Sequence, residues 1–296
     1  MRLATIKLGS VETAAIVAGE GLLPIKTVNE RLHRSYPLSL FEIIWSGRLE
    51  EMNAWYRREG AEQLASLAGE AIPKAEVKYG PLFRCPRKIW GIGLNYVDHA
   101  ADLAEKAPNT EPASFMKPDT TIIGPGDFIK IPVQSERTTA ESELGIIIGK
   151  TCKDVEEKDV PLVIAGYTTI IDMTAEDILR KNPRYLTRSK SFDTFFSFGP
   201  VLVTPDEAGD VLSLKVATVL NGQVHRENLV SNMTFPPYLL VSFHSKVMTL
   251  LPGDIISTGT PGAVVIKDGD LVECMIDGLE SLANPVMDLK KSGGVL

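Results

Sequence analysis

An α+β fold rich in strands is what the sequence predicts, on three observations. From residue 88 onward, the short apolar segments KIWGIG, FIKIP, ELGIIIG, GYTTIID, VLVT, LKVATVL and VECMI have strand length and are bounded by turn residues. Only two segments among them carry helical spacing. The first forty or so residues alternate in short apolar pieces, LATIKL, TAAIVAGEG and LLPIKTV, separated by Gly or Pro, the pattern of a small antiparallel sheet. Strands grouped in this way with few helices point to α+β rather than to alternating βαβ units.

In chain order, the stretch RLEEMNAWYRREGAEQLASLAGEA follows the first sheet and places Leu49, Met52 and Tyr56 at helical spacing, with Gly60 expected to weaken or split the helix. Pro73, Pro81 and Pro86 then punctuate a polar connection. A boundary near residue 82 follows, giving a small N-terminal α+β domain over 1–82 and a larger domain over 83–296. One of the two later helices opens at Asn95 in NYVDHAADLAEK. The other follows Pro236 and Pro237, with Leu239, Leu240, Phe243, Val247 and Leu250 expected on one face and Pro252-Gly253 as its stop. Asn221-Gly222, between LKVATVL and QVHRENLV, is a two-residue hairpin signal.

Composition narrows the partners. A net charge of -7, without a Lys/Arg stripe interleaved with aromatics, disfavours nucleic acid and anionic lipid. No apolar run reaches the roughly eighteen residues a membrane span requires, so no membrane partner is expected. The start, MRLATIKLGSVETAAIVAGEG, has its apolar stretch interrupted by Glu12 and Glu20, unlike a secretory signal. Cys85, Cys152 and Cys274 are odd in number and scattered, with no zinc-type spacing, which suits a reducing compartment. The expectation is a cytoplasmic protein that handles small molecules.

In AESELGIIIGK the strand period of two puts Glu141 and Glu143 on one face, continued by Gly145 and Ile147, while Leu144, Ile146 and Ile148 occupy the other. Two ionised carboxylates in a buried place repel and are costly to desolvate, so one takes a proton or a cation sits between them. A solvated strand end would also explain the pair. Asp172, at the end of GYTTIID, offers a third carboxylate. Three carboxylates with no paired His or Cys favour a hard cation, Mg2+ or Mn2+, with Ca2+ also admissible.

His99 and Asp102 stand three apart in the helix expected from Asn95, close enough for the carboxylate to orient the imidazole as a base; Glu105 is a less direct partner. A surface histidine beside acids is the plainer reading. Lys190 in TRSKSFDTF is flanked by Phe192, Phe195 and Phe196, so its ammonium is either held near apolar walls, where it acts strongly on an anion, or snorkels to solvent. The turn STGTPGAVV sets Gly259, Thr260 and Gly262 around Pro261. Such a turn can cradle a carboxylate or merely join two strands.

In order and spacing, GLNYVDHAAD, FMKP, IIGPGDFIKIP, ESELGIIIGK, AGYTTIIDMTAEDI, RSKSFDTF, GPVLVT, LPGDIISTGTPGAV and NPV resemble the fumarylacetoacetate hydrolase family, from about residue 88 to 287. The resemblance implies a mixed β-roll catalytic domain, commonly dimeric, so a homodimer is expected. It places Glu141, Glu143 and Asp172 at the metal-ligand positions, His99 at the catalytic histidine, Lys190 at an active-site lysine and Thr260 at a substrate-contacting threonine. It also implies a small oxo acid as substrate: carbon-carbon hydrolysis of a 2,4-dioxo acid or acylpyruvate first, oxaloacetate-type decarboxylation or tautomerisation second, and a non-catalytic metal-binding member as a further alternative.

Three positions depart from the family's pattern. Asp102 stands where many relatives have Glu, Glu176 where Arg is common, and Leu179 where Gln is common. Glu176 and Leu179 occupy positions that hold substrate in relatives. An anion at Glu176 should repel a substrate carboxylate, which leaves either an unusual substrate or a substitute cation such as Arg188.

Overall fold

The computed structural model describes residues 1–97 and 108–291. Most of the helix expected from Asn95 lies outside them. The first apolar pieces form β1 (Arg2–Leu8), β2 (Val11–Ala18) and β3 (Gly21–Pro24), paired antiparallel in sequence order as their turn signals require. The helical stretch runs over Arg48–Trp55, passes through a π-helical turn at Tyr56–Gly60 and resumes at Ala61–Ser66. Gly60 is where the Trp55 ring packs on the backbone; a Cβ there would lie 2.9 Å from the ring. The expected break is therefore a wide turn that admits an indole.

The remaining strands are β4 (Ile72–Pro73), β5 (Ile89–Gly93), β6 (Ala113–Lys117), β7 (Ile122–Ile123), β8 (Ile129–Ile131) and β9 (Thr138–Ile148). They continue with β10 (Ile164–Ala175), β11 (Phe196–Phe198), β12 (Val201–Val203), β13 (Lys215–Leu220) and β14 (Gln223–Leu229). The last are β15 (Ile255–Ser257), β16 (Ala263–Val265), β17 (Leu271–Ile276) and β18 (Leu282–Asp288). Every apolar segment read as a strand in the larger domain is one. The Asn221-Gly222 turn joins β13 to β14 with φ of 52° and 78°, the two left-handed residues that a type I′ hairpin needs.

Among the described residues the strands form two sheets. The larger has thirteen strands, with the path β4-β3-β2-β1-β12-β10-β9-β15-β5-β6 and β7, β11 and β16 attached; the smaller is β14-β13-β17-β18-β8. Because β1 pairs with β12, the larger sheet runs across the boundary expected near residue 82. Leu3, Ile16 and Trp55 share one core cluster with Ile147, Ile170 and Phe198. On the other side, Leu144, Ile146 and Ile171 pack with Val216, Val272, Cys274 and Leu282 of the smaller sheet. β9 and β10 are thus covered on both faces, which is why their sequences read as nearly continuous apolar runs. None of the described helices is long and apolar enough to cross a membrane.

The helix after Pro236 spans Pro237–Val247, but its buried face differs from the expected one. Leu240, Val241, His244 and Ser245 are buried, whereas Val247 is 54% exposed. Polar groups that find local partners can be buried at little cost: the Ser245 hydroxyl donates to Ser242 and accepts from the Val155 N–H, and His244 Nδ1 lies 2.7 Å from the Leu240 carbonyl while its Nε2 has no hydrogen-bond partner among the described residues and its ring packs on Trp90. Hydrophobic periodicity cannot see such satisfaction. Leu240→Ala should cost about 2–5 kcal/mol in thermal or denaturant unfolding. Val247→Ala should change stability by less than about 0.5 kcal/mol.

Candidate active site

The site is built on the β9/β10 ladder. Its register sets Asp172 directly opposite Glu141, and opposed residues of an antiparallel pair project from the same face. Glu143 is two residues further along β9 and so shares that face. One carboxylate oxygen from each of the three lies within 4.8 Å of the others, and Glu143 and Asp172 are each 1% exposed. The strand carrying Asp172 does not end there as expected; it continues to Ala175, and its Thr174 hydroxyl donates to Glu141 at 2.9 Å.

Each carboxylate has its own anchors. Glu143 accepts from the Ser257 hydroxyl at 2.5 Å and from the Gly259 N–H at 2.9 Å. Glu141 and Asp172 share the Lys190 ammonium, at 3.1 and 2.6 Å. Asp172 also accepts from Lys117, whose side chain is wholly buried at the end of the edge strand β6. The sequence reading assigned no role to Lys117, although FMKP belongs to the motif series; a lysine closing an apolar strand before a proline was the available signal.

Burial and mutual repulsion set the protonation of these groups. Burial first, then the charges of Asp172 and Glu141, push the Glu143 carboxyl up to about 8. Burial alone would also raise Asp172, but the Lys117 and Lys190 ammoniums outweigh it and hold that carboxyl below its ordinary value. Burial lowers Lys117 to about 8 against the pull of Asp172. For Lys190 burial is overcome by Asp172, Glu141 and Glu143, which raise it. Three carboxylates with two ammoniums leave the cluster one positive charge short of balance. The all-oxygen donor set fits a hard divalent cation.

The aromatic ring beneath the Lys190 ammonium is Phe115 of β6, at 4.7 Å from its centroid, rather than one of the phenylalanines that follow the lysine in sequence. That ring lies against Gly91, where a Cβ would come within 2.2 Å of it. The turn after β15 supports the triad in the same close-fitting way. Gly259 has φ of 95°, and a Cβ on it would meet the Asn95 Cβ at 2.8 Å. Gly259→Ala should therefore cost about 1–3 kcal/mol in thermal unfolding and weaken whatever Glu143 binds, since its N–H cannot hold the same place.

The other residues singled out by sequence fall as follows. Thr260 is buried and closes its own turn, its hydroxyl 3.2 Å from both the Gly262 carbonyl and N–H. Arg188 is exposed on the short helix Leu186–Lys190, its guanidinium 6.0 Å from the Tyr185 ring centroid. Glu176 is 7% exposed, accepts from Arg137 Nε at 2.5 Å and forms an ion pair with Arg180 Nη2 at 2.6 Å. His99 and Asp102 lie outside the described residues.

Comparison with known proteins gives this geometry a context. The chain is 38% identical over 211 residues to a mitochondrial oxaloacetate tautomerase of Xenopus laevis, covering 68% of this chain and 66% of the relative. A 2-hydroxyhepta-2,4-diene-1,7-dioate isomerase from Mycobacterium marinum superposes with a TM-score of 0.67 at 36% identity, covering 76% of this chain and 83% of that one. A maleylpyruvate hydrolase from Sphingobium sp. SYK-6, solved with manganese(II) and pyruvate, superposes with a TM-score of 0.77 at 28% identity, covering 97% and 99%. These relatives carry enzyme names of three kinds: tautomerase, isomerase and hydrolase. The model of the fumarylacetoacetate hydrolase C-terminal domain matches residues 88–287, the span that holds the triad and both lysines, and the chain belongs to that family.

Proposed function

We propose that the protein is a divalent-metal-dependent enzyme that hydrolyses a carbon-carbon bond in a 2,4-dioxo acid. The observation that carries this reading is the buried cluster in which Glu141, Glu143 and Asp172 converge and Lys190 bridges two of them. The names of the similar proteins support the substrate class, since oxaloacetate and maleylpyruvate are both dicarboxylic 2-oxo acids. A cation held by the three carboxylates, Mg2+ or Mn2+, would supply Lewis-acid polarisation of a substrate carbonyl. Lys190 supplies a fixed positive charge, raised and anchored by Asp172, against the negative charge that develops as an enolate leaves. Ser257 and the Gly259 N–H hold Glu143, and Thr174 holds Glu141, so that both carboxylates keep one orientation. The family resemblance assigns to His99 the proton of the attacking water, with Asp102 as the carboxylate three residues on in the sequence.

Keto-enol tautomerisation is the second reading, favoured by the 38% identity to an oxaloacetate tautomerase. It uses the same stabilised enolate and needs no attacking water. Purified protein loaded with Mg2+ or Mn2+ and offered acylpyruvates, oxaloacetate and dioxo sugar acids tests both. Two carboxylic products from an acylpyruvate establish hydrolysis. Enol-keto exchange without bond cleavage establishes the tautomerase, and no turnover by metal-loaded protein removes both.

A further inference from the structure

Beyond the triad, the adjoining ends of β9 and β10 lead to a cation that the sequence did not reveal. From Glu141, a step of two back along β9 reaches Thr139, and Arg137 lies just before the strand begins; from Asp172, a step of two forward along β10 reaches Thr174, and Glu176 opens the helix Glu176–Lys181 just past the strand end. The Thr174 hydroxyl on Glu141 shows that this face is shared, and the Glu176 N–H donates to the Arg137 carbonyl at 2.9 Å, extending the pairing beyond the last ladder pair, Ala175 with Thr138. Arg137 and Glu176 are each four residues from a triad member, so their Cα atoms lie at most about 14 Å from it. An extended arginine side chain and a short diacid together cover that span.

The charges also decide against the repulsion that Glu176 suggested. Its buried carboxylate is matched by two guanidiniums, Arg137 and Arg180, so the group of three carries a net charge of +1 (two positive, one negative). Arg137 gives Glu176 its Nε, and a guanidinium has five N–H donors, which leaves the terminal pair for a second carboxylate. Its side chain is 44% exposed and so open to a ligand. The segment before it is fixed as well: Asp177 accepts from the Ser135 hydroxyl at 2.8 Å and from the Glu136 N–H at 3.3 Å. Arg180 is more exposed, at 59%, and lies one turn further along the helix that Glu176 opens.

Resting on the 2-oxo acid chemistry proposed above, we infer that Arg137, positioned by Glu176, receives the second carboxylate of a dicarboxylic 2-oxo acid whose oxo-acid end lies at the triad. Calorimetric titration of the Mn2+-loaded full chain with 2-oxoglutarate and with 2-oxopentanoate, which has a methyl in place of the distal carboxylate, tests it. The wild type should prefer the diacid by about tenfold or more, and Arg137→Ala should weaken the diacid by about 10- to 100-fold while changing the monoacid less than about twofold. Arg137→Lys should restore part of the preference, and Glu176→Gln should reduce it without affecting the monoacid. Should Arg137→Ala fail to fold, Arg137→Gln carries the same comparison. Equal losses for both acids in the Arg137 variants, a wild type without preference for the diacid, or loss of the preference in Arg188→Ala instead would overturn the assignment. A Mn2+-loaded wild type that binds neither acid would overturn the proposed function with it.

Discussion

Replacing Asp172 by alanine should abolish tight divalent-cation binding, lower turnover by at least about a hundredfold and destabilise the metal-free protein by about 3–5 kcal/mol. The first two effects follow from loss of an anionic oxygen that lies within 4.8 Å of those of Glu141 and Glu143. The third follows from its neighbours. Asp172 is the acceptor for Lys117 and Lys190, both buried, so its removal leaves two ammoniums facing each other without the carboxylate that separates them. Asp172→Asn keeps the volume and an acceptor oxygen, and should recover part of the stability while leaving cation affinity low. Calorimetric titration with Mn2+ and thermal unfolding of both variants check these outcomes. Wild-type stability in the alanine variant would mean that the two lysines find other partners.

Lys190→Met should lower kcat by about 100- to 1,000-fold without weakening the cation site. The ammonium sits 3.1 Å from Glu141 and 2.6 Å from Asp172, where it competes with a cation for both carboxylates while offering charge to substrate. Removing it frees their oxygens, so Mn2+ affinity should be equal or higher as turnover collapses. Methionine keeps the apolar stem against Phe115 and limits the packing loss. A merely structural lysine behaves differently: its loss would lower melting temperature and leave kcat of the folded fraction intact. Steady-state kinetics and a Mn2+ titration on the same preparation separate the two.

How much of this was legible in the sequence depended on whether the cause was local. Glu141 and Glu143 could be placed on one face because strand period is a property of the backbone, and the Asn221-Gly222 hairpin because its two left-handed residues are a property of the dipeptide. The convergence of Asp172 on them needed the β9/β10 register, which the sequence suggests only through two apolar runs of similar length. The role of Lys117 stayed unread for a related reason: its partner is 55 residues away, and the local signal in FMKP does not say which carboxylate the ammonium meets.

Glu176 shows the same limit in charge rather than shape. Read alone, an anion where relatives carry a cation implies repulsion of a carboxylate substrate. In the fold it meets Arg137, 39 residues earlier in the chain, as well as Arg180, and the three side chains together carry +1. Leu240 and His244 show it in packing. The helix after Pro236 buries polar residues that bond within their own turn, so its inner face is not the most apolar one.

The central claim, that Glu141, Glu143 and Asp172 share one cation, is tested most directly by Mn2+ titration followed by electron paramagnetic resonance of the wild type and of Glu141→Gln, Glu143→Gln and Asp172→Asn. These variants keep side-chain size and remove one charge each. The wild type should bind a single Mn2+ per chain, and each variant should weaken that binding by at least about tenfold. Wild-type affinity and stoichiometry in all three folded variants would contradict the shared site.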